Sequence, residues 1–244
     1  MKKKKKRLRF KSVLFLLLLG YLIYMLGVYI YKLPVKNIYI KGNNILTDQE
    51  IIDAAKLKNY PSIHKYSTKK IKKNIKQLEL VDDVKVTKDI LGKVIITVTE
   101  AKPLFYYRPD NKIYLSNQKV VEDNSKYIGI PILINYVPKK ILDDLIKYYA
   151  ELNDDVIQQI NEIEYSPDEK EGITLDENRF IIRMNDTNTV FIDTLNIAKL
   201  NNYQRIIAAL EDGVHGYIYL NSNRTNASFQ AYQPEVVEEV QDEN

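Results

Sequence analysis

A chain of 244 residues with 45% hydrophobic and 28% charged residues, and only 8 Gly and 8 Pro, has the make-up of one large folded domain or two small ones. That excludes collagen-like, low-complexity and wholly disordered chains. Zero Cys removes disulfides, thiolate nucleophiles, Cys-ligated zinc and Fe–S clusters, and two His far apart (His64, His215) remove a histidine-rich metal site. The net charge of +4 is unevenly laid down: residues 1–47 hold 11 Lys/Arg and no acid, so residues 48–244 set 25 basic residues against all 32 acids, for −7. The basicity belongs to a leader, and no nucleic-acid partner is implied.

Ser12–Tyr31 is a run of 20 residues without a charge, mostly Leu, Ile, Val and Tyr. As a helix rising about 1.5 Å per residue it spans about 30 Å, the thickness of a bilayer core. Eight Lys/Arg precede it within Met1–Lys11, which keeps that end cytoplasmic and exports everything after Lys32. A cleaved signal peptide is the rival reading, but it calls for a shorter apolar stretch and small residues at the cut. The first Ala of the chain is Ala54, so an uncleaved signal anchor fits better. Gly20 and Gly27 share nearly one helix face and are read as tolerated rather than as a dimer seam. Tyr29 and Tyr31 read as interfacial anchors.

Beyond Pro34, Val35–Lys41 alternates like a strand and turns at Gly42-Asn43-Asn44. Thr47 with Glu50 three residues on is a capping box. It opens a helix with Ile51, Ile52, Ala55 and Leu57 on its apolar side, closed by Tyr60-Pro61. Ser67 caps a second helix, where Ile71, Ile75 and Leu78 make one stripe. Lys69, Lys70, Lys72, Lys73 and Lys76 make its wet face, which is read as solvated, with anionic membrane or wall polymer as the alternative. Val84–Val86 and Val94–Thr99 form a hairpin turning at Leu91-Gly92-Lys93. The order β-α-α-β-β predicts a three-stranded sheet with two helices on one face.

After Ala101-Lys102-Pro103, strands are expected at Leu104–Tyr107, Lys112–Leu115 and Lys119–Val121, then a short apolar run at Ile130–Ile134. Pro138 takes the first position of a helix reaching Leu152, with Ile141, Leu142, Leu145, Ile146, Tyr149 and Leu152 on its core face. Ile160–Tyr165, Ile173–Leu175, Arg179–Met184 and Thr189–Ile192 read as consecutive antiparallel strands. Leu195–Leu210 reads as an amphipathic helix, and Tyr217–Leu220 and Ala227–Tyr232 as closing strands. After Pro234, five acids and no base read as a disordered tail. The expected fold class is α+β: one transmembrane helix, the small β-α-α-β-β domain, and a second domain with an antiparallel sheet and packed helices. The segments are 1–11 (basic tail), 12–31 (anchor), 33–101, 102–233 and 234–244 (acidic tail).

Ser62-Ile63-His64-Lys65 and Ser67-Thr68-Lys69-Lys70 both fit S-x-x-K, the nucleophile pattern of penicillin-recognising enzymes, but the companion S-D-N and K-T-G strings do not occur. No phosphate loop, dinucleotide fingerprint, nucleophile elbow or zinc-protease helix occurs either. The acid pairs Asp82-Asp83, Asp143-Asp144 and Asp154-Asp155 fit loops and exposed helix faces. His64 and His215 fit polar turns. No catalytic, cofactor-binding or metal-binding residue is assigned, and no cofactor is expected.

The C-terminal end says more. From Tyr217 to Pro234 the only charge is Arg224. Edge strands are normally blunted by Lys or bulges, so a strand left this bare is either internal or meant for a partner strand. A chain-terminal strand is more often an edge. Tyr217, Tyr219, Ser228, Phe229, Gln230, Ala231 and Tyr232 are the candidate partner-binding residues.

V-K-N-I-Y-I-K-G-N-N-I-L-T-D-Q-E-I (Val35–Ile51), with V-D-D-V-K-V (Val81–Val86) and G-K-V-I-I-T-V-T-E-A-K-P (Gly92–Pro103), is similar to the start and closing hairpin of a POTRA domain. N-Q-K-V-V-E-D (Asn117–Asp123), I-P-I-L-I (Ile130–Ile134), Arg183-Met184-Asn185-Asp186, the helix Leu195–Leu210 and G-Y-I-Y-L (Gly216–Leu220) resemble the β domain of the FtsQ/DivIB cell-division family, in its Gram-positive DivIB branch. Relatives often carry Gly where this chain has Asn117-Gln118-Lys119, and an acid where it has Tyr219.

The resemblance implies a non-catalytic, single-pass division protein, N-terminus cytoplasmic and enriched at the septum. It implies binding outside the cell to the bitopic proteins FtsL and DivIC (FtsB elsewhere) through the C-terminal strand. Control of septal peptidoglycan synthesis would follow, with the septal peptidoglycan synthases as further partners. The alternatives are a POTRA-bearing envelope transport or secretion component and an anchored cell-wall enzyme.

Overall fold

The computed structural model describes residues 10–123, 126–211, 213–221 and 228–233, and the chain divides into two units after Glu100. The basic tail before Phe10, Ala227 and the acidic tail after Gln233 lie outside the described residues. Helix α1 (Phe10–Tyr31) is long and apolar enough to cross a bilayer and buries none of its residues.

In the rest of the first unit, β1 (Asn37–Lys41), α2 (Asp48–Ala54), α3 (Thr68–Ile75), β2 (Val81–Lys88) and β3 (Lys93–Glu100) follow in the expected order. The sheet runs β1-β3-β2, with β3 parallel to β1 and antiparallel to β2. Ile51, Ile71 and Ile75 from the helices meet Val84, Val94, Ile96 and Val98 of the sheet side as buried residues. The capping box forms: the Glu50 amide donates to Thr47 Oγ1 (3.2 Å) and the Thr47 amide donates to Glu50 Oε2 (2.8 Å). The β1–α2 loop is tied to the end of β3 by the Glu100 carboxylate, which accepts from the amides of Asn44, Ile45 and Leu46 at 2.9–3.1 Å. On the lysine face of α3, Lys72 and Lys76 both reach Asp83 on β2, at 3.0 and 2.9 Å.

The second unit contains β4 (Pro103–Tyr107), β5 (Lys112–Leu115), β6 (Val120–Glu122), β7 (Ile132–Leu133), α4 (Lys139–Tyr149), α5 (Asp154–Ile157) and β8 (Ile160–Tyr165). These are followed by β9 (Asp168–Lys170), β10 (Ile173–Asp176), β11 (Arg179–Met184), β12 (Thr189–Asp193), a 3-10 segment (Thr194–Asn202), α6 (Tyr203–Ile207), β13 (Gly216–Tyr219) and β14 (Ser228–Ala231). Nine strands form one sheet in the order β14-β13-β12-β11-β8-β7-β4-β5-β6. Its core joins Leu145 and Tyr149 of α4, Ile197 and Leu200 of the 3-10 segment and Tyr203 of α6 to Ile163, Ile182, Val190 and Ile218.

Four expectations are corrected. The sheet is mixed rather than antiparallel: β4–β7, β7–β8 and β12–β13 are parallel pairs. Parallel neighbours need a crossover, usually helical; α4 and α5 carry the chain from β7 to β8, and the 3-10 segment with α6 carries it from β12 to β13. Secondly, β10 is not a sheet neighbour of β8 and β11; it pairs with β9, which the sequence pattern missed, in a separate ribbon. Thirdly, Pro138 is the cap before α4 rather than its first residue, and α4 stops at Tyr149. Lastly, Leu195–Leu210 is not one α-helix. It starts as a 3-10 turn capped by Asp193 Oδ1 on the Asn196 amide (3.1 Å), and Leu195 is 69% exposed. The fully buried Ile197, Leu200 and Tyr203 recur every three residues, the 3-10 period.

The Lys76 and Lys72 ammoniums hold the Asp83 carboxyl below the usual carboxylate range. A depressed folded value contributes stability above the unfolded pKa of about 3.9, and that contribution is lost as pH falls below it. Asp83→Asn should therefore lower Tm slightly at pH 7, with the difference from the unsubstituted chain shrinking as pH falls below about 4 in thermal melts.

Candidate functional site

Strand β14 is the last strand at one end of the nine-stranded sheet. It pairs antiparallel with β13, setting Ser228 opposite Tyr219, Phe229 opposite Ile218, Gln230 opposite Tyr217 and Ala231 opposite Gly216. The Tyr232 amide donates to the His215 carbonyl at 2.9 Å. Hydrogen-bonded pairs alternate along an antiparallel ladder. Tyr217 with Gln230 and Tyr219 with Ser228 are therefore also bonded pairs, while the main-chain groups of Phe229 and Ala231 face away from the sheet.

Side chains alternate the other way. Ile218 is buried, and Phe229 beside it packs against the core cluster, which pins the strand to the domain. Tyr217, Tyr219, Ser228, Gln230 and Tyr232 lie on the opposite, open face. There Phe191 of β12 stacks on Tyr219 (ring centroids 5.0 Å, planes 11° apart) and meets Tyr217 at 5.8 Å. Tyr232 stands edge-on to Tyr217 at 4.8 Å, and the Arg179 guanidinium covers Phe191 at 5.7 Å. The result is a half-exposed aromatic strip beside the bare edge.

The turn between β11 and β12 fastens this end of the sheet. The Tyr203 hydroxyl donates to the Asp186 carboxylate at 2.8 Å, and the Asn188 amide donates to Asp186 Oδ1 at 3.1 Å. Burial, then the Asp186 charge, pushes the Tyr203 hydroxyl above the ordinary phenol range, so it stays protonated and donating. Asn188 Oδ1 in turn accepts from the Gly216 amide at 2.8 Å. Gly216 faces β14 so closely that a Cβ would lie 2.1 Å from the Gln230 carbonyl oxygen. The Tyr232 hydroxyl reaches across to the Thr187 carbonyl and to Thr189 Oγ1, both at 2.9 Å.

All seven candidate residues thus fall at one end of one sheet, five on its open face and two, Phe229 and Ala231, on the core side. Sequence reasoning missed Phe191, Arg179, Thr187, Asn188 and Gly216. The alternation of Thr189 and Phe191 with Val190 and Ile192 marked an open face, but nothing in the pattern told that β12 lies beside β13. The two S-x-x-K serines hold backbone: Ser62 Oγ donates to the Tyr31 carbonyl (2.5 Å), and Ser67 Oγ accepts from the Lys70 amide (3.2 Å).

A model of the FtsQ-type POTRA domain matches residues 33–101. The cell division protein DivIB of Listeria monocytogenes is 29% identical over 240 residues, covering 94% of this chain and 84% of that protein. DivIB of Bacillus subtilis is 29% identical over 194 residues, covering 76% and 71%. The chain is similar to DivIB cell division proteins over most of its length and carries an FtsQ-type POTRA domain. A solved structure of the major extracytoplasmic domain of DivIB from Geobacillus stearothermophilus, in its trans isomer, aligns with TM-score 0.36 and 24% identity over 48% of this chain and 98% of that one. In the Asn117-Gln118-Lys119 turn Gln118 holds φ at +64°, a conformation that Gly would adopt without strain.

Losing one hydroxyl's bonds costs about 1 kcal/mol. Tyr232→Phe should therefore speed amide exchange at Gln230 and Tyr232 about fivefold by local opening of β14, with global Tm nearly unchanged. Hydrogen-exchange mass spectrometry or NMR reads both.

Proposed function

We propose that this chain is a bitopic protein of the division machinery that acts without bond chemistry, offering the free edge of β14 outside the cell to a partner strand. The partners are the FtsL-like and DivIC/FtsB-like bitopic proteins, bound as a pair, and through them the chain helps control septal peptidoglycan synthesis, with the septal synthases as further contacts. Its N-terminus lies in the cytoplasm, α1 spans the cell membrane, both folded units lie outside, and the protein gathers at the septum.

One observation carries this reading: the outward main-chain groups of Phe229 and Ala231 sit on an edge that lacks the charges proteins use to repel another strand. A partner strand added there would gain ladder bonds from those two residues and side-chain contacts from Ser228, Gln230 and Tyr232. The aromatic strip next to it, at Tyr217 and Tyr219, supplies the broad, low-entropy surface that partners favour. The names of the Listeria and Bacillus relatives support the division role.

The register dictates which proline tests it. Gln230 spends its amide on β13, so Gln230→Pro should loosen the strand from its own sheet and lower both binding and stability. Ala231→Pro removes an outward donor only, as edge strands tolerate. In the full-length chain, Ala231→Pro should weaken binding of the extracellular segment of a DivIC-like partner at least tenfold with Tm nearly unchanged, measured by titration calorimetry and thermal melting. Unchanged affinity for Ala231→Pro would contradict docking at this edge.

A further inference from the structure

The first residues after α1 are held on two sides. On one side, the Val35 amide donates to the Pro61 carbonyl and the Ile63 amide to the Leu33 carbonyl, both at 2.9 Å. Ser62 Oγ bonds the Tyr31 carbonyl, and the rings of His64 and Tyr31 stack at 6.0 Å. On the other side, the Lys36 amide donates to the Gly92 carbonyl at 2.7 Å. Gly92 has φ +96°, and a Cβ there would lie 2.6 Å from the Pro34 carbonyl oxygen. Lys88 joins the two sides, its Nζ donating to the carbonyls of Ile63 and Tyr66 at 2.6 Å each. The α2–α3 loop and the β2–β3 tip are therefore fastened to the segment that leaves the membrane helix.

Both carry the wrong chemistry for a surface facing only water. The tip presents Ile90 and Leu91, adjacent residues 74% and 71% exposed, and the loop presents Tyr60 at 57%. A turn is ordinarily polar, and the carboxylate of Asp89 shapes this one by accepting from the Leu91 and Lys93 amides at 2.9 Å. Residues 54–78 hold eight Lys and no acid, with Lys58 and Lys65 exposed beside the loop. Residues 32–100 as a whole carry 14 Lys against 8 acids, whereas residues 101–244 carry 14 basic residues against 24 acids. Apolar tips flanked by lysines and tied to a membrane helix match the interfacial layer of a bilayer, where apolar side chains enter the acyl boundary and ammoniums meet phosphates.

We propose that the Ile90–Leu91 tip and the Tyr60–Lys65 loop seat the first unit in the outer leaflet of the bilayer that α1 spans, with anionic phospholipid headgroups meeting Lys58 and Lys65. The inference rests on α1 crossing that bilayer. The seat fixes how the unit stands on the membrane and leaves its far end, around Glu100, pointing away.

The chain has 0 Trp, so a single introduced Trp reports alone. Full-length Leu91→Trp, Thr99→Trp and Leu19→Trp proteins are reconstituted in phosphatidylcholine–phosphatidylglycerol vesicles, with and without bromine on the acyl chains. Leu19→Trp lies within α1 and reads the anchor; exposed Thr99 stands about 20 Å along β3 from the tip. Emission of Leu91→Trp should be blue-shifted and quenched at least twofold by brominated lipid, that of Thr99→Trp unchanged, with less quenching of Leu91→Trp when phosphatidylglycerol is omitted. Quenching of Leu19→Trp but not of Leu91→Trp overturns the seat and spares the anchor, whereas no quenching of Leu19→Trp overturns both. A Leu91→Trp emission that responds to soluble polyphosphate and not to vesicles assigns the surface to a wall polymer and also overturns the seat.

Discussion

A strand in an antiparallel ladder turns alternate main-chain pairs to its two sides, and a strand with one neighbour leaves half of them for water or for another chain. At β14 this rule singles out Phe229 and Ala231, because the Tyr232 amide is bonded to the carbonyl of His215, the residue just before β13. The functional reading of the molecule depends on that geometry. Side-chain chemistry near the edge sets which strand fits, while the unspent amides and carbonyls make strand addition favourable at all.

An edge is useful for docking only if it is already in place, since ordering a loose segment costs affinity. Here the order is supplied from three directions. Phe229, half-buried, packs against the core, Gly216 admits the backbone of β14 at a distance no side chain would allow, and Tyr232 is bonded across β13 to Thr187 and Thr189. Gly216, through its amide on Asn188, and Tyr232, through its hydroxyl on Thr187, both tie to the β11–β12 turn, held from below by Tyr203 on Asp186. The Arg183–Asp186 stretch, which carries part of the family resemblance, thus runs into the turn that fastens the end of the sheet proposed for docking. The first unit has a different surface, with net positive charge and an apolar tip beside the membrane exit. The second unit is strongly acidic. Each has its own neighbour in the proposed arrangement, lipid for the first and protein for the second.

Much of this was legible in the chain. Thr47 with Glu50 announced a helix start, Ile71 and Ile75 its buried side, and the twofold alternation through β1, β3, β11 and β12 their faces. Those signals are local. The parallel pairings were invisible because they join residues brought together by long crossovers, through helices for β7–β8 and β12–β13 and through β5 and β6 for β4–β7, and β9 escaped because Asp168–Lys170 is three polar residues in a ribbon. The 3-10 turn was masked by Leu195, which supplied an apolar position to a helical pattern but lies exposed. At the site, residue types pointed to the C-terminal strand. Only the register told that Gln230 turns its amide inward and Ala231 outward, and only three-dimensional proximity brought in Phe191 and Arg179.

Residue-resolved hydrogen exchange of the full-length chain, alone and with the extracellular segment of a DivIC-like partner, tests the edge most directly. In the free chain the amides of Ser228, Gln230 and Tyr232 should exchange slowly and those of Phe229 and Ala231 fast. On binding, the two fast amides should become protected. Protection that appears elsewhere while Phe229 and Ala231 keep exchanging freely would contradict strand addition at β14.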